Sequence, residues 1–496
     1  MGVFNLFKKP DLPRPNSSNS DSPDIKYLEK ILRMWLDSPA RKEQLLAEKY
    51  YDGHHDILER EKKVIGADGQ LIPIKNVANN KLVDNQYRKL VDQKTNYALG
   101  KPMIISTQKE DYAKALKEVF TKKMNRKLRV LGQYAVDGGI AWLYPYRTES
   151  NFAIQIFPAY EICPVWKDNM HTELDCVMRY YSEEVYEKNG TIKLVYRVDV
   201  FTLNGINHYR YQEASLVPEA NPHSAYMTDG ENSYNWNKLP MIPFKYNTKE
   251  IPLIRNVKSL QDALNQVLSD FQNNMEEDPR TSILVLKNYD GTNIPEFRQN
   301  LATYGVIKVT TVDGVQGGVE TLKIEVNAAN YQAILMQLKR AIVENGRGFD
   351  AKEERMDGDP NQMNIESMYT DIDLDVDTLE SEFQAGFEEL KWFIDQYLMQ
   401  NGHPDYSEEE VEFIFDRDFF INENAKIDNI MKSVGLVSDE TLLEHHPLVK
   451  NKVVEIQRKE AQKQAELDEM DATLKVQAQN SPEPTKSKKD DGGGSE

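Results

Sequence analysis

Apolar residues recur at three- and four-residue spacing over three long stretches of this chain, and at two-residue spacing over one. The first helical stretch opens at Ile251-Pro252. It carries Leu253, Ile254, Val257, Leu260, Leu264, Val267, Leu268, Phe271 and Met275 as one stripe. The second opens near Asn327 and carries Tyr331, Ile334, Leu335, Leu338, Ala341 and Ile342. The third runs from about 364 to 400, with Ile365, Met368, Tyr369, Ile372, Val376, Leu379, Phe383, Phe387, Leu390, Ile394 and Tyr397. At ~1.5 Å per residue, its roughly 35 residues span about 50 Å, the width of a domain. Between the last two lies GRGFDAKEERMDGDPNQMN, where Asp357-Gly358 and Asp359-Pro360 predict a loop.

Upstream, residues 1–23 are rich in Pro, Ser, Asn and Asp and predict a flexible arm. Two short helices follow at about 24–37 and 39–52, closed by Asp52-Gly53. A third is expected over 80–99, with Leu82, Val83, Tyr87, Leu90, Val91, Tyr97 and Ala98 on its stripe. Gly100 would supply a left-handed C-terminal residue, and Pro102 prevents continuation. From 138 to 250 the period is two, as in Ile140, Trp142, Tyr144 and Tyr146, and a β meander is expected, interrupted by a loop or arm over 213–238. Between the first two long helices, TSILVLKNYDG, YGVIKVTTV and VETLKIEV read as strands. A short helix is expected near Pro295–Ala302, and Asn327 is placed to cap the second long helix. Helices are expected again over 422–470, one capped by Ser438, before a disordered tail from 471 onward. The class is α+β.

Composition adds one point. Hydrophobic content of 40% and charged content of 28% are ordinary for a globular chain, but the net charge is −19. Such a chain does not hold DNA through its overall field, because phosphate binding needs clustered Lys and Arg. Its charge fits simple solubility, or a surface that lets DNA pass without gripping it. Cys163 and Cys176 are too few for a disulfide scaffold, which points to synthesis in a reducing cytoplasm, and Cys163 reads as a core thiol. No run of about 18 apolar residues predicts a membrane span. The opening MGVFNLFKKP is too short in apolar residues for a signal peptide, and Leu6 stands where the myristoylation pattern needs Ser or Thr.

Candidate chemistry is sparse. Asp357, Asp359 and Asn361 fit three calcium-loop positions, but Gln362 and Met368 stand where Gly and Glu are required. Asp371, Asp373, Asp375 and Asp377 alternate along a helix, so they cannot all converge on a metal pair and read as a solvated face. His54-His55 and His445-His446 lack the four-residue spacing of helical zinc ligands. There is no P-loop, dinucleotide fingerprint or nucleophile elbow. No catalytic residue, metal or cofactor is expected. Lys339, Arg340 and Arg347 put cations at a helix C-terminus, where the dipole favours them, and Lys352 and Arg355 follow.

The order helix, β-rich insert, helix, charged loop, long helix resembles the stem, clip, second stem helix, tunnel loop and spine helix of tailed-bacteriophage portal proteins. The likeness is to portals of long-tailed phages with Gram-positive hosts. NNKLVDNQYRKLVDQKTNYALGKP, GGIAWLYPYR, FPAYEICPVW, LPMIPFKYN and VGLVSDETLLEHHPLVKN also resemble portal segments, and the likeness covers roughly residues 24–470. It implies a portal fold: arm 1–23, wing 24–250, stem helix 251–278, clip 279–326, second stem helix 327–347, tunnel loop 348–363, spine helix and closing strand 364–421, crown 422–470 and tail 471–496. It also implies a dodecameric ring at one vertex of the phage head, assembled in the host cytoplasm. The ring would pass DNA during packaging and ejection and nucleate head assembly with scaffold and major capsid protein. It would dock terminase and later a head-completion adaptor. Lys339, Arg340, Arg347, Phe349, Lys352 and Arg355 become DNA-tunnel candidates, and Tyr289, Asp290, Phe297, Arg298 and Tyr304 clip-docking candidates. Repeated around an axis, the cations would form a belt that touches double-stranded DNA weakly. Two other classes stay open at this point: a metal-dependent nucleic-acid enzyme using 357–377, and another virion structural protein.

Overall fold

Side-chain caps start the first two helices. Asp24 accepts from the Lys26 N–H at 3.0 Å and Ser38 from the Arg41 N–H at 3.2 Å, so both helices begin within a residue of their expected positions. The computed structural model describes residues 24–65, 70–73, 78–148, 151–186, 190–229, 232–277, 283–287, 318–322, 328–350, 362–415, 417, 423–449 and 452–479. Its helices are α1 (Ile25–Leu36), α2 (Pro39–Tyr51), α3 (Gln86–Leu99), α4 (Glu110–Val119), α5 (Lys122–Gly138), α6 (Ile254–Glu277), α7 (Ala328–Asn345), α8 (Gln362–Gln400), α9 (Glu423–Ser433), α10 (Asp439–Glu444) and α11 (Lys452–Gln479). The strands are β1 (Lys63–Ile65), β2 (Leu71–Pro73), β3 (Ile104–Ser106), β4 (Ile140–Arg147), β5 (Phe152–Pro158), β6 (Ile162–Trp166), β7 (Leu174–Tyr186), β8 (Ile192–Thr202), β9 (Gly205–Gln212), β10 (Ser215–Ser224), β11 (Met227–Asp229), β12 (Asn232–Tyr234), β13 (Ile242–Lys245), β14 (Ile283–Lys287), β15 (Gly318–Leu322) and β16 (Glu412–Ile414). They fall into two units, residues 1–101 with 119–405 and residues 102–118 with 406–496.

In the first unit, β10-β9-β8-β7-β6 form an antiparallel meander. Helix α1 covers one face, burying Leu28, Ile31 and Leu32 against Cys163, Cys176, Met178, Val198 and Val200. Both cysteines are free and buried, as the apolar setting of Cys163 suggested. A second antiparallel sheet, β13-β4-β5, meets α8. Phe244 of β13 lies edge-on to Phe383 and Phe387, with ring centroids 5.0 and 5.2 Å away.

Several expectations are corrected. The third helix begins at Gln86, not at 80, and Gly100 is right-handed at φ −67°. Residues 213–238 are not simply an arm: most of them form β10 and the β11–β12 hairpin. Pro218 and Pro222 are tolerated in β10 because it is a sheet edge, and its register shifts between Pro218 and His223. Helices α4 and α5 lie where no element was expected. Thr121 caps α5 and Gly139, at φ +80°, closes it. Helix α6 starts at Ile254, and α8 starts at Gln362. Helix α11 continues to Gln479, past the expected boundary at 471, because DATLKVQAQ is rich in good helix formers even though it has little to bury. The arm 1–23, the helix near Pro295–Ala302, the strand YGVIKVTTV, the Asn327 cap, most of the 348–363 loop and residues 480–496 lie outside the described residues.

In the second unit, β3 pairs antiparallel with β16, and Tyr112 stacks on Tyr406 at 4.2 Å. Ser438 caps α10, accepting from the Thr441 N–H at 3.4 Å with Asp439 and Glu440 in the first turn, as expected. Lys459 of α11 reaches Asp439 at 3.1 Å. Among the described residues no helix is long and apolar enough to cross a membrane.

Candidate functional site

A line of uncharged polar side chains, four residues apart, runs along α6: Gln261, Asn265, Ser269 and Asn273. All four are buried. Facing them, the chain from Asn80 to Asp84 runs antiparallel to the helix without forming one. The Asn80 N–H donates to Asn273 Oδ1 at 2.7 Å, Leu82 to Ser269 Oγ at 2.9 Å and Asp84 to Asn265 Oδ1 at 3.0 Å. Gln86 and Tyr87 both donate to Gln261 Oε1 at 3.0 Å. Four helical residues rise about 6 Å and two extended residues advance about 6.6 Å, so such a ladder meets every second N–H of an extended chain. Here α6 acts as a strand partner built of side chains. It satisfies part-buried donors that would otherwise have no partner in the chain. Helix α3 therefore cannot start at 80, and it starts where Asn85 accepts from the Arg88 N–H at 2.8 Å. His55 joins the ladder. Its Nδ1 meets Asn265 Nδ2 at 2.8 Å and its Nε2 meets the Tyr50 carbonyl at 3.0 Å, and burial lowers its pKa. It is a neutral structural histidine.

At the C-terminal end of α7 the chain enters the charged loop through Gly346, Arg347, Gly348 and Phe349. A Cβ at either glycine would run into Leu90 of α3. Arg347 between them is left-handed at φ +48°. Gln93 of α3 clamps Phe349 at two points: its Nε2 donates to the Phe349 carbonyl at 2.7 Å, and its Oε1 accepts from the Phe349 N–H at 2.9 Å. Next to it Lys94, fully buried, donates to the Arg347 carbonyl at 2.9 Å and to Asp375 Oδ2 at 2.5 Å. The Tyr246 hydroxyl donates to the same carboxylate. Burial pulls the Lys94 pKa down and Asp375 opposes it. The Phe349 ring stacks on Tyr369 of α8 at 4.3 Å.

The candidate residues divide accordingly. Lys339 pairs with Asp84 at 2.8 Å, and Arg340 with Glu344 at 2.9 Å. The Arg347 guanidinium is largely exposed and lies 3.7 Å from Asp375. Phe349, expected to face a tunnel, is buried inside its own chain, because the Gln93 clamp turns it toward Tyr369. Lys352, Arg355 and all five clip candidates, Tyr289, Asp290, Phe297, Arg298 and Tyr304, lie outside the described residues. The aspartate series is not one solvated face. Asp375 holds Lys94 and Tyr246, and Asp373 accepts from the Tyr97 hydroxyl at 2.9 Å, while Asp371 and Asp377 are exposed. Two carboxylates that a metal enzyme would need are thus engaged by their own chain. Among the described residues no group of His, Cys, Asp and Glu could hold a metal ion.

Sequence reasoning missed Gln93, Lys94 and the α6 ladder. The repeat Gln261, Asn265, Ser269, Asn273 was a legible signal, since it runs beside an apolar stripe at helical spacing. Lys94 falls between Leu90, Val91, Tyr97 and Ala98 on the expected stripe of α3, but nothing in the sequence names Asp375 as the partner that lets an ammonium be buried there.

A family model described as phage portal protein, SPP1 Gp6-like, matches residues 39–471 of this chain. A portal protein of Bacillus phage SPP1 is 26% identical over 445 residues, covering 88% of this chain and 86% of the relative. A portal protein of Clostridium phage phiCD119 is 28% identical over 436 residues, covering 85% and 93%.

Proposed function

The chain belongs to the SPP1 Gp6-like family of phage portal proteins, and from that membership we propose how its parts divide the work. It is a structural virion protein rather than an enzyme, an oligomer that acts with other components of the phage head and tail. In our reading twelve copies close a ring at one capsid vertex, after assembly in the host cytoplasm. Scaffold and major capsid protein would surround it, terminase would dock during packaging, and a head-completion adaptor would dock later. The observation that carries this reading is the family match across residues 39–471. Its physical support is the α6–α7 pair. Met275, Ile334 and Met336 are exposed in the single chain, and Leu260, Val267, Leu268 and Phe271 are not fully covered. Apolar faces of that kind call for neighbours, which a ring supplies.

Residues 279–326 would form the clip that meets the packaging motor and the adaptor, with Tyr289, Asp290, Phe297, Arg298 and Tyr304 at the contact. Lys339, Arg340 and Arg347, with Lys352 and Arg355 in the following loop, would touch passing double-stranded DNA. The three described cations already have acidic neighbours. That supports weak transit, because strong ionic contacts would stall a sliding polymer. Negative-stain images of the purified protein test the central claim: rings with a central hole are expected, and monomers at every concentration and salt would overturn it. Replacing Arg347, Lys352 and Arg355 together with Glu should leave rings intact and reduce the length or retention of packaged DNA.

A further inference from the structure

We propose that Gln93 and Lys94 of α3 are positioning residues for DNA handling: they fix the root of the loop through which the portal touches its DNA. This rests on the reading that Arg347 and the loop after it contact DNA. The bland alternative is a satisfied core lysine beside an ordinary surface glutamine. Three features argue against it. Both side chains send hydrogen bonds to backbone atoms of one short segment, Gln93 to Phe349 and Lys94 to the Arg347 carbonyl. Gln93 grips the N–H and the carbonyl of the same residue, which sets the orientation of Phe349 as well as its position. Lys94 is fully buried, and burying an ammonium is costly where an apolar side chain would fill the same space. What the ammonium provides, and a Leu or Met would not, is a bond to the Arg347 carbonyl and to Asp375 together.

The geometry of the root needs such an imposed hold. Arg347 is held in the left-handed region, a conformation that persists in a non-glycine residue only where its surroundings enforce it. Gly346 and Gly348 press against Leu90, one turn before Lys94, so α3 forms the floor of the root. On the far side, Tyr369 of α8 receives Phe349, and Tyr97 of α3 stacks on Tyr369 at 6.1 Å and bonds Asp373. Helix α3 is therefore one post on which both the end of α7 and the early part of α8 are hung. Through the Lys94 bond to its carbonyl, that post holds the Arg347 backbone from which the exposed guanidinium extends.

The test uses assembled rings and heads carrying Gln93→Ala or Lys94→Met, beside the Arg347, Lys352, Arg355→Glu triple variant. Three quantities are read: ring formation, trypsin cleavage after Arg347 in native rings, and the DNA retained in heads. Gln93→Ala removes two hydrogen bonds from a part-buried site. Rings should form normally, cleavage after Arg347 should rise about tenfold, and retained DNA should fall several-fold. Gln93→Glu keeps the acceptor and loses the donor, so it should lie between. Lys94→Met should act in the same direction, and if it fails to fold, Gln93→Ala still decides. Unchanged cleavage in Gln93→Ala would overturn the clamp. Faster cleavage with full DNA retention would overturn its role in DNA handling, provided the triple variant is defective. A triple variant that retains DNA normally would instead remove the loop from the DNA path, and this inference with it.

Discussion

Helices α6 and α8 look alike as patterns, with apolar residues at three- and four-residue spacing along most of each. Packed, they differ. The buried line of α8 is apolar from Ile372 to Ile394: Ile372, Val376, Leu379, Phe383, Phe387, Leu390 and Ile394 are all inaccessible, and the one buried charge beyond them, Asp395, is paired with Lys391. The buried line of α6 starts apolar, at Ile254 and Val257, then turns polar through Gln261, Asn265, Ser269 and Asn273, while part of its apolar stripe stays open. What each helix meets explains the difference. The α8 stripe faces side chains of α3 and the β13-β4-β5 sheet, including the Phe244 ring. The second half of α6 faces a bare backbone, which needs acceptors. An apolar stripe marks where a helix can bury surface. It does not say whether its own chain does the burying.

The comparison can be broken from either side. The largest effect is expected at α8. Phe387→Ala leaves a cavity among Phe244 and Phe383 and should cost about 3–5 kcal/mol, read by urea unfolding or loss of rings. A loss below about 1 kcal/mol would mean that α8 is not the apolar core helix described. Leu264→Asp, on the fully buried part of the α6 stripe, should be nearly as damaging, since an unpaired buried carboxylate costs several kcal/mol.

At the ladder, Asn265→Leu makes α6 more apolar, yet it should destabilise by about 2–4 kcal/mol, because the Asp84 N–H and His55 Nδ1 each lose a partner. A stabilised variant would show that the ladder is incidental. Where the extended segment enters α3, Tyr87 donates to Asp137 at 2.5 Å, and burial, with Glu48 and Asp52 nearby, raises the Asp137 pKa from 3.8 to about 8. An acid raised in the fold keeps a proton there that the unfolded chain has released. Its contribution to stability is therefore present at low pH and lost as pH rises toward 8. Asp137→Asn cannot titrate, so its melting temperature relative to wild type should climb from about pH 5 to about pH 8. A flat difference would place the proton elsewhere in the cluster.

Asp262→Ala sharpens the contrast within α6. From sequence Asp262 is simply off the stripe, but it accepts from the Tyr50 hydroxyl at 2.5 Å and from Lys258 at 2.6 Å. A loss of about 1–2 kcal/mol is expected, well short of Leu264→Asp, and equal losses would mean the helix register is wrong. The smallest effect belongs to Arg340→Ala. This removes an exposed four-residue ion pair with Glu344, so stability should change by no more than about 0.5 kcal/mol.

Periodicity and end signals made much of the fold legible. The long helices, the β meander, the Ser438 cap and the buried Cys163 all follow from spacing and local chemistry, because each depends on residues close in sequence. The succession of long helix, β-rich insert, helix and long helix was legible in the same way. The site was legible only as a charged segment after α7. The Arg347 side chain is exposed, whereas Phe349 is buried, because its neighbours Gln93 and Tyr369 come from distant parts of the chain.

Sequence alone determined the long amphipathic helices and the start of the β meander, which of their faces are apolar, and that the chain carries no motif for catalysis, though it left out α4, α5 and the strands within 213–238. Tertiary structure decided which polar residues are buried. Lys94 and Asp375 are 281 positions apart, and Asn80 and Asn273 are 193 apart. No local pattern records such a pairing, because the energy that buries a polar group comes from the partner it meets after the chain has closed on itself.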